Sequence, residues 1–472
     1  GNESYHLPHR DLVASYIETV SKTNLFDGLV FVPVCDDVIP GHLMAAARLD
    51  LPSVVVTGGY MQLNRHKGEV IDPLDVAPKH FRQYKEGVIN EYEYNQIKDK
   101  GCPGSGACPV MGTANTMAAM SEALGMSLPG NTATPGADSR LQRIAFEAGR
   151  QVVKLHQERV TPSSIMKLNA FNNAIRVLMA LGGSTNGVLH LQAIAAELDL
   201  ELELETFNSI SKETPLIVDI APSGSGKYLM SDLDEAGGIP SAMKELESLL
   251  HTEVKTVMGR SLAEDLALAK GGDGKIIHAL DKPITKEGGL IFLRGNLAPE
   301  GALIKKSAVP KSMYHHSGPA KIFLNEDDAS KALINDEIDA GSVVVVRNVG
   351  PQGDPGMRLL YRFLWIVAAK GMDDKIALIT DGRFSGTNKG CAVAHICPEA
   401  SVGGPLALVK EGDTIEINID NEQVNLKISD EEFEKRLKAW IPPKKKAEKG
   451  YLSIYVKSAK SASKGAALDY KS

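Results

Sequence analysis

Two cysteines stand in glycine- and proline-rich turns: Cys35 in Val-Cys-Asp-Asp-Val-Ile-Pro-Gly (34–41) and Cys108 in Gly-Ser-Gly-Ala-Cys-Pro-Val-Met-Gly-Thr-Ala-Asn-Thr-Met (104–117). A thiol placed where a strand or loop turns into a helix is expected to have a lowered pKa, which suits a thiolate metal ligand better than a packed core sulfur. Soft thiolates select zinc or iron–sulfur clusters. Cys102, Cys391 and Cys397 read as ordinary free cysteines, and Cys102 is too far from Cys108 for a CxxC zinc motif. Beside Cys35, the carboxylates of Asp36 and Asp37 suit a hard cation such as Mg2+, or equally a strand-end turn or helix cap.

A third candidate is Ser385, presented by Asp381-Gly-Arg-Phe-Ser-Gly386 after an apolar strand. It lacks a Gly-x-Ser-x-Gly elbow, and no His–carboxylate pair is evident for a hydrolase triad. A serine in such a turn often bonds its own backbone, but a neighbouring metal would let it act as a base. Glycine-rich segments at 181–186, 222–227 and 350–357 could offer amides to an anion or could be plain turns. The second is not a phosphate-binding loop, because Ala221 occupies the first glycine position and Tyr228 follows the lysine.

The elements that would position these residues follow from periodicity. Residues 26–34 and 53–59 are apolar runs of the kind found in strands covered on both faces, and the Met/Ala-rich segment 42–49 between them predicts a βαβ unit. Cys35, Asp36 and Asp37 then fall at the carboxyl end of the first strand, where open α/β sheets hold ligands. Residues 109–126, 139–157 and 163–198 read as helices. Beyond residue 280 the texture changes to strands at 289–297, 342–347, 375–382, 414–419 and 424–428, the last two alternating as a half-buried hairpin. The expected fold is α/β: an α/β domain with a parallel sheet over 1–283 and a β-rich, barrel-like domain over 284–472. The Lys-rich stretch 442–449 reads as a solvated loop.

With 472 residues, 43% hydrophobic and 24% charged, the chain can bury large cores. A net charge of −7 argues against nucleic-acid or acidic-membrane partners and points to a small-molecule substrate. Five scattered cysteines predict free thiols in a reducing compartment, with cytoplasm as the default. Neither a membrane span nor a signal peptide is evident, and the opening Gly1-Asn2-Glu3-Ser4-Tyr5-His6 reads as though a preceding portion were missing.

Taken together, the segments around Cys35, Cys108 and Asp381–Gly386, with Glu-Ala-Leu-Gly-Met-Ser-Leu-Pro-Gly, Leu-Gly-Gly-Ser-Thr-Asn and Gly-Asn-Leu-Ala-Pro-Glu-Gly-Ala, resemble the dihydroxy-acid/6-phosphogluconate dehydratase family nearly end to end. The resemblance implies an α/β domain followed by a barrel-like domain, a homodimer or homotetramer, and an active site between the domains. It also implies dehydration of a 2,3-dihydroxy acid, either a sugar acid or a branched-chain acid, to a 2-keto-3-deoxy acid. In that reading Cys35 and Cys108 are two of three [2Fe–2S] thiolates, Asp36 is a Mg2+ ligand with Asp37 beside it, and Ser385 is the base.

The chain departs from the family pattern at several positions. The third cluster cysteine falls before residue 1, Asp37 stands where lysine is usual, and Leu359 stands where a metal-binding glutamate is usual. A further glutamate aligns with Gly1, with Glu3 nearby as its stand-in. Two other readings stay open: a cluster-free binding or scaffold protein, and a thiol-redox enzyme using Cys35 and Cys108, which lack a close resolving partner.

Overall fold

The computed structural model describes residues 3–71, 76–353, 355–387, 389–444, 447 and 449–470. Gly1 and part of the Lys-rich stretch 442–449 lie outside them. The chain forms two compact units. A helical unit comprises Arg10–Glu201 and Ser209–Gly289, and a barrel unit comprises Gly1–His9, Leu202–Asn208 and Leu290–Ser472. Among the described residues no helix is long and apolar enough to cross a membrane.

In the helical unit, β1 (Leu29–Phe31) pairs in parallel with β2 (Ser53–Val55), and the helix Val38–Leu49 connects them. This is the expected βαβ unit, with shorter strands than the apolar runs suggested. Pro33 has no N–H to extend the ladder, so only isolated bonds continue it, such as that from the Gly58 amide to the Pro33 carbonyl at 3.0 Å. A small hairpin, β3 (Asn64–His66) with β4 (Glu69–Ile71), follows.

The helix Thr113–Ala123 is buried along its whole length, and Ala114, Ala118 and Ala119 let neighbouring helices approach closely. The expected long helix over 163–198 is instead three: Pro162–Ile165, Leu168–Leu181 and Asn186–Ala196. Gly182 ends the second with φ +57°, a left-handed cap that costs glycine little.

The barrel unit closes eight strands in the order β10-β6-β5-β12-β11-β7-β8-β9. These are β5 (Ile291–Gly295), β6 (Ala298–Ile304), β7 (His315–Phe323), β8 (Val343–Val346), β9 (Ala377–Thr380), β10 (Cys391–Cys397), β11 (Thr414–Asn418) and β12 (Gln423–Leu426). From β7 to β10 the neighbours run parallel. Alternation explains why β8 is valine throughout: Val343 and Val345 pack inside the barrel, while Val344 and Val346 face the helices Glu326–Ile334 and Tyr361–Ala369. The hairpin of β11 and β12 forms as its alternating pattern predicts, with Ile415, Ile417, Val424 and Leu426 inside.

Candidate functional site

In the helical unit, Cys35 sits after β1 with φ +80°, and its carbonyl accepts from the Ile39 amide at the start of the helix Val38–Leu49. Cys108 lies on a neighbouring turn. Tyr60 bridges to Ala107, and the Met61 amide donates to the Ala107 carbonyl at 2.7 Å, while the Gly58 amide reaches back to Pro33. Gly106 permits this approach: its φ is +114°, and a Cβ there would lie 2.4 Å from the Tyr60 backbone. The two cysteines are therefore carried on loops laced to the same segment, 58–61. Both residues reach the surface while neighbouring atoms crowd their thiols, and the Cys108 thiol feels the charges of Asp36, Cys35 and Cys102.

One sequence expectation is reversed. Neither thiol is acidified: burial, and after it the Asp36 carboxylate, raise Cys35, and the same causes push Cys108 up to about 11. The reason lies in the elements. Cys108 is not at a helix N-terminus, since its helix starts at Thr113, and beside Cys35 the carboxylate of Asp36 opposes thiolate formation. A cluster's positive irons would supply the missing counter-charge. Two thiols on adjoining loops have the donor chemistry of iron–sulfur ligands, and among the described residues no third His, Cys, Asp or Glu joins them in a metal-holding group. Cys391 and Cys397 are buried in the barrel strand β10, as their ordinary reading requires.

Asp37 is 5% exposed and its Oδ1 lies 3.5 Å from Nε2 of His190, which is fully buried on the helix Asn186–Ala196. His190 Nδ1 is 3.5 Å from Arg10 Nη1, and Arg10 is paired with Asp11 at 3.1 Å. Burial raises the Asp11 carboxyl to about 6 against the lowering influence of Arg10. The result is a buried run Asp11–Arg10–His190–Asp37. Sequence reading missed Arg10 and His190, since the first falls in an ordinary amphipathic helix and the second in an apolar one.

A magnesium ion requires about six oxygen ligands in octahedral geometry. Among the described residues there is no group of three or more His, Cys, Asp or Glu side chains arranged to hold one metal ion. Leu359, 4% exposed in the barrel unit, supplies no oxygen. Asp36 and Asp37 alone do not make a magnesium site.

In the barrel unit, Ser385 stands on the loop between β9 and β10, partly exposed, with its Oγ 2.8 Å from Oγ1 of Thr387. The loop is pinned at its root. Asp381, fully buried, accepts from the amides of Asn348, Val349 and Ala400, and Arg383 donates to the Met357 carbonyl at 2.8 Å. Leu359 bridges to Arg383, so an apolar side chain occupies the segment beside the serine loop. Lys305, directly after β6, donates to the Gly386 carbonyl at 2.9 Å. Thr387 and Lys305 were not singled out in the sequence; Lys305-Lys306 looks like solvated surface.

The glycine-rich segments are structural. Ser184 and Asn186 bond Thr113 across buried helices. Asp219 accepts from the amide and hydroxyl of Ser225, and Glu399 accepts from the Gln352 amide, so a carboxylate already takes one amide of each remaining loop.

The model for the dihydroxy-acid/6-phosphogluconate dehydratase N-terminal domain matches residues 1–265, and that for the C-terminal domain matches 275–466. A protein of Acetivibrio thermocellus named dihydroxy-acid dehydratase is 45% identical over 469 residues, 99% of this chain and 84% of the relative. Proteins of the same name from Thermodesulfovibrio yellowstonii and Methanosarcina barkeri are 44% and 43% identical, each over 98% of this chain and 84% of the relative.

Proposed function

Because the chain belongs to the dihydroxy-acid/6-phosphogluconate dehydratase family, we propose that it is an iron–sulfur-dependent hydro-lyase converting a 2,3-dihydroxy carboxylic acid into a 2-keto-3-deoxy acid. The observation that carries this reading is the end-to-end match to relatives named for that activity, with Cys35, Cys108 and Ser385 on solvent-reached loops of their units. Cys35 and Cys108 would hold a [2Fe–2S] cluster, which supplies a Lewis acid for the departing C3 hydroxyl.

Ser385, as the alkoxide, takes the proton from C2. The C2–H electron pair becomes the C2–C3 double bond as the C3–O bond breaks, and the departing hydroxide recovers the serine proton to leave as water. The enol then passes its hydroxyl proton to solvent and gains one at C3, giving the ketone. Thr387, within hydrogen-bond distance of Ser385 Oγ, orients the hydroxyl.

Protein purified without oxygen and reconstituted with iron and sulfide is assayed for keto-acid formation on a panel of aldonic acids and branched-chain 2,3-dihydroxy acids. Turnover with a brown, iron-containing protein is the expected result. A colourless, iron-free protein inactive on every member would overturn the reading in favour of a binding or scaffold role.

A further inference from the structure

Lys305 is 1% exposed, and its Nζ donates to the Gly386 carbonyl. An ammonium taken out of water costs several kcal/mol unless it is paired, so buried lysines usually face a carboxylate. Lys305 does not. Among the described residues it forms no ion pair, and burial alone drives its pKa down to about 7. The hydrogen bond of its Nζ goes to the residue that follows Ser385. Gly386 has φ +82°, a left-handed conformation that glycine adopts without steric cost.

We propose that Lys305 is a positioning residue for Ser385: its ammonium locks the Gly386 carbonyl, fixing the serine hydroxyl on the barrel loop, and its uncompensated charge favours the serine alkoxide over the hydroxyl. This rests on the reading of Ser385 as the base. When the alkoxide forms, the Ser385 O–H bond breaks and the proton passes to water. The electron pair left on oxygen is then carried by the residue next to the Gly386 peptide that the Lys305 ammonium holds, and buried charges interact strongly.

Lys305→Met keeps the apolar stem and removes both the donor and the charge. Replacing a buried ion with a well-packed apolar chain is often neutral or stabilising, so the melting temperature should hold or rise. We expect kcat to fall about a hundredfold, within the range seen when one electrostatic donor is removed, with KM shifting less than about threefold. Lys305→Arg, which restores the charge and a donor, should recover part of kcat.

Amide hydrogen exchange across residues 383–387 should quicken in Lys305→Met while the rest of the barrel is unchanged. That measurement needs no turnover, so it still judges the turn-locking role if the wild-type protein proves not to be a dehydratase. If Lys305→Met does not fold, Lys305→Gln, which keeps a donor without the charge, serves in its place. A folded variant that keeps kcat within about threefold, or leaves exchange at 383–387 unaltered, overturns the proposal.

Discussion

Asp37 and His190 face each other out of solvent, Oδ1 to Nε2 at 3.5 Å, although 153 positions separate them in the chain. Arg10 on the other side of the imidazole makes the ring's tautomer predictable: with its guanidinium toward Nδ1, Nε2 carries the proton toward Asp37. A carboxylate so placed is a structural partner of the imidazole. Removing the carboxylate leaves the buried imidazole N–H without its nearby acceptor atom, so Asp37→Ala should destabilise the helical unit by about 1–2 kcal/mol. Asp37→Asn, which keeps an oxygen facing the ring, should cost less. Urea denaturation followed by helix content checks this, and equal midpoints for Asp37→Ala and wild type would refute it.

The thiol environment makes a prediction that separates geometry from reactivity. Cys35 and Cys108 reach the surface, yet crowding around the sulfurs and the Asp36 carboxylate push both thiols above the ordinary range, Cys108 to about 11. In iron-free protein near neutral pH the thiolate fraction is therefore small, and iodoacetamide should alkylate them more slowly than a free cysteine peptide. Raising the pH through 9 to 11 should accelerate the reaction steadily. Cys35→Ser and Cys108→Ser should each lower iron retained after reconstitution, and Cys391→Ala, altered inside the barrel, should not. Mass spectrometry of alkylated peptides and iron-to-protein ratios read both. Rapid labelling of Cys108 at pH 7 would show that the carboxylate and burial do not govern it.

Where the physical cause of an element is local, the sequence displays it. The β8 run Ser-Val-Val-Val-Val-Arg is legible because both of its faces are apolar, one toward the barrel interior and one toward helices. The hairpin of β11 and β12 is legible because one face is wet. Strand β7, His-His-Ser-Gly-Pro-Ala-Lys-Ile-Phe, escapes notice because glycine and proline interrupt it, and its register comes from β11 and β8 on either side.

The same division holds for the candidate site. Cys35, Cys108 and Ser385 announce themselves through unusual turns. Lys305 and His190 acquire their importance from burial and from partners 81 and 153 residues away, which no spacing rule reveals.

Two buried carboxyls beneath the serine loop set a pH dependence. Glu399 accepts from the Gln352 amide and, at 2.6 Å, from the Ser401 hydroxyl, and it fills the space beside Gly350, where a Cβ would come within 1.8 Å of its Oε2. Burial, with the nearby Asp381 second, raises Glu399 to about 8, and burial raises Asp381 to about 6. A carboxyl whose folded pKa exceeds its unfolded value binds more protons in the folded state. Its contribution is thus complete below about pH 4 and is lost as pH climbs through 6 and then 8.

The barrel unit should accordingly weaken between pH 5 and pH 8. Glu399→Gln carries no titrating proton and can still accept from the Gln352 amide. At pH 8 it should exceed wild type by on the order of 2 kcal/mol, while at pH 5 the two should nearly coincide. Denaturation midpoints measured across that range decide the matter: parallel curves for variant and wild type would mean that Glu399 is ionised in the folded protein throughout and that its burial does not control its proton.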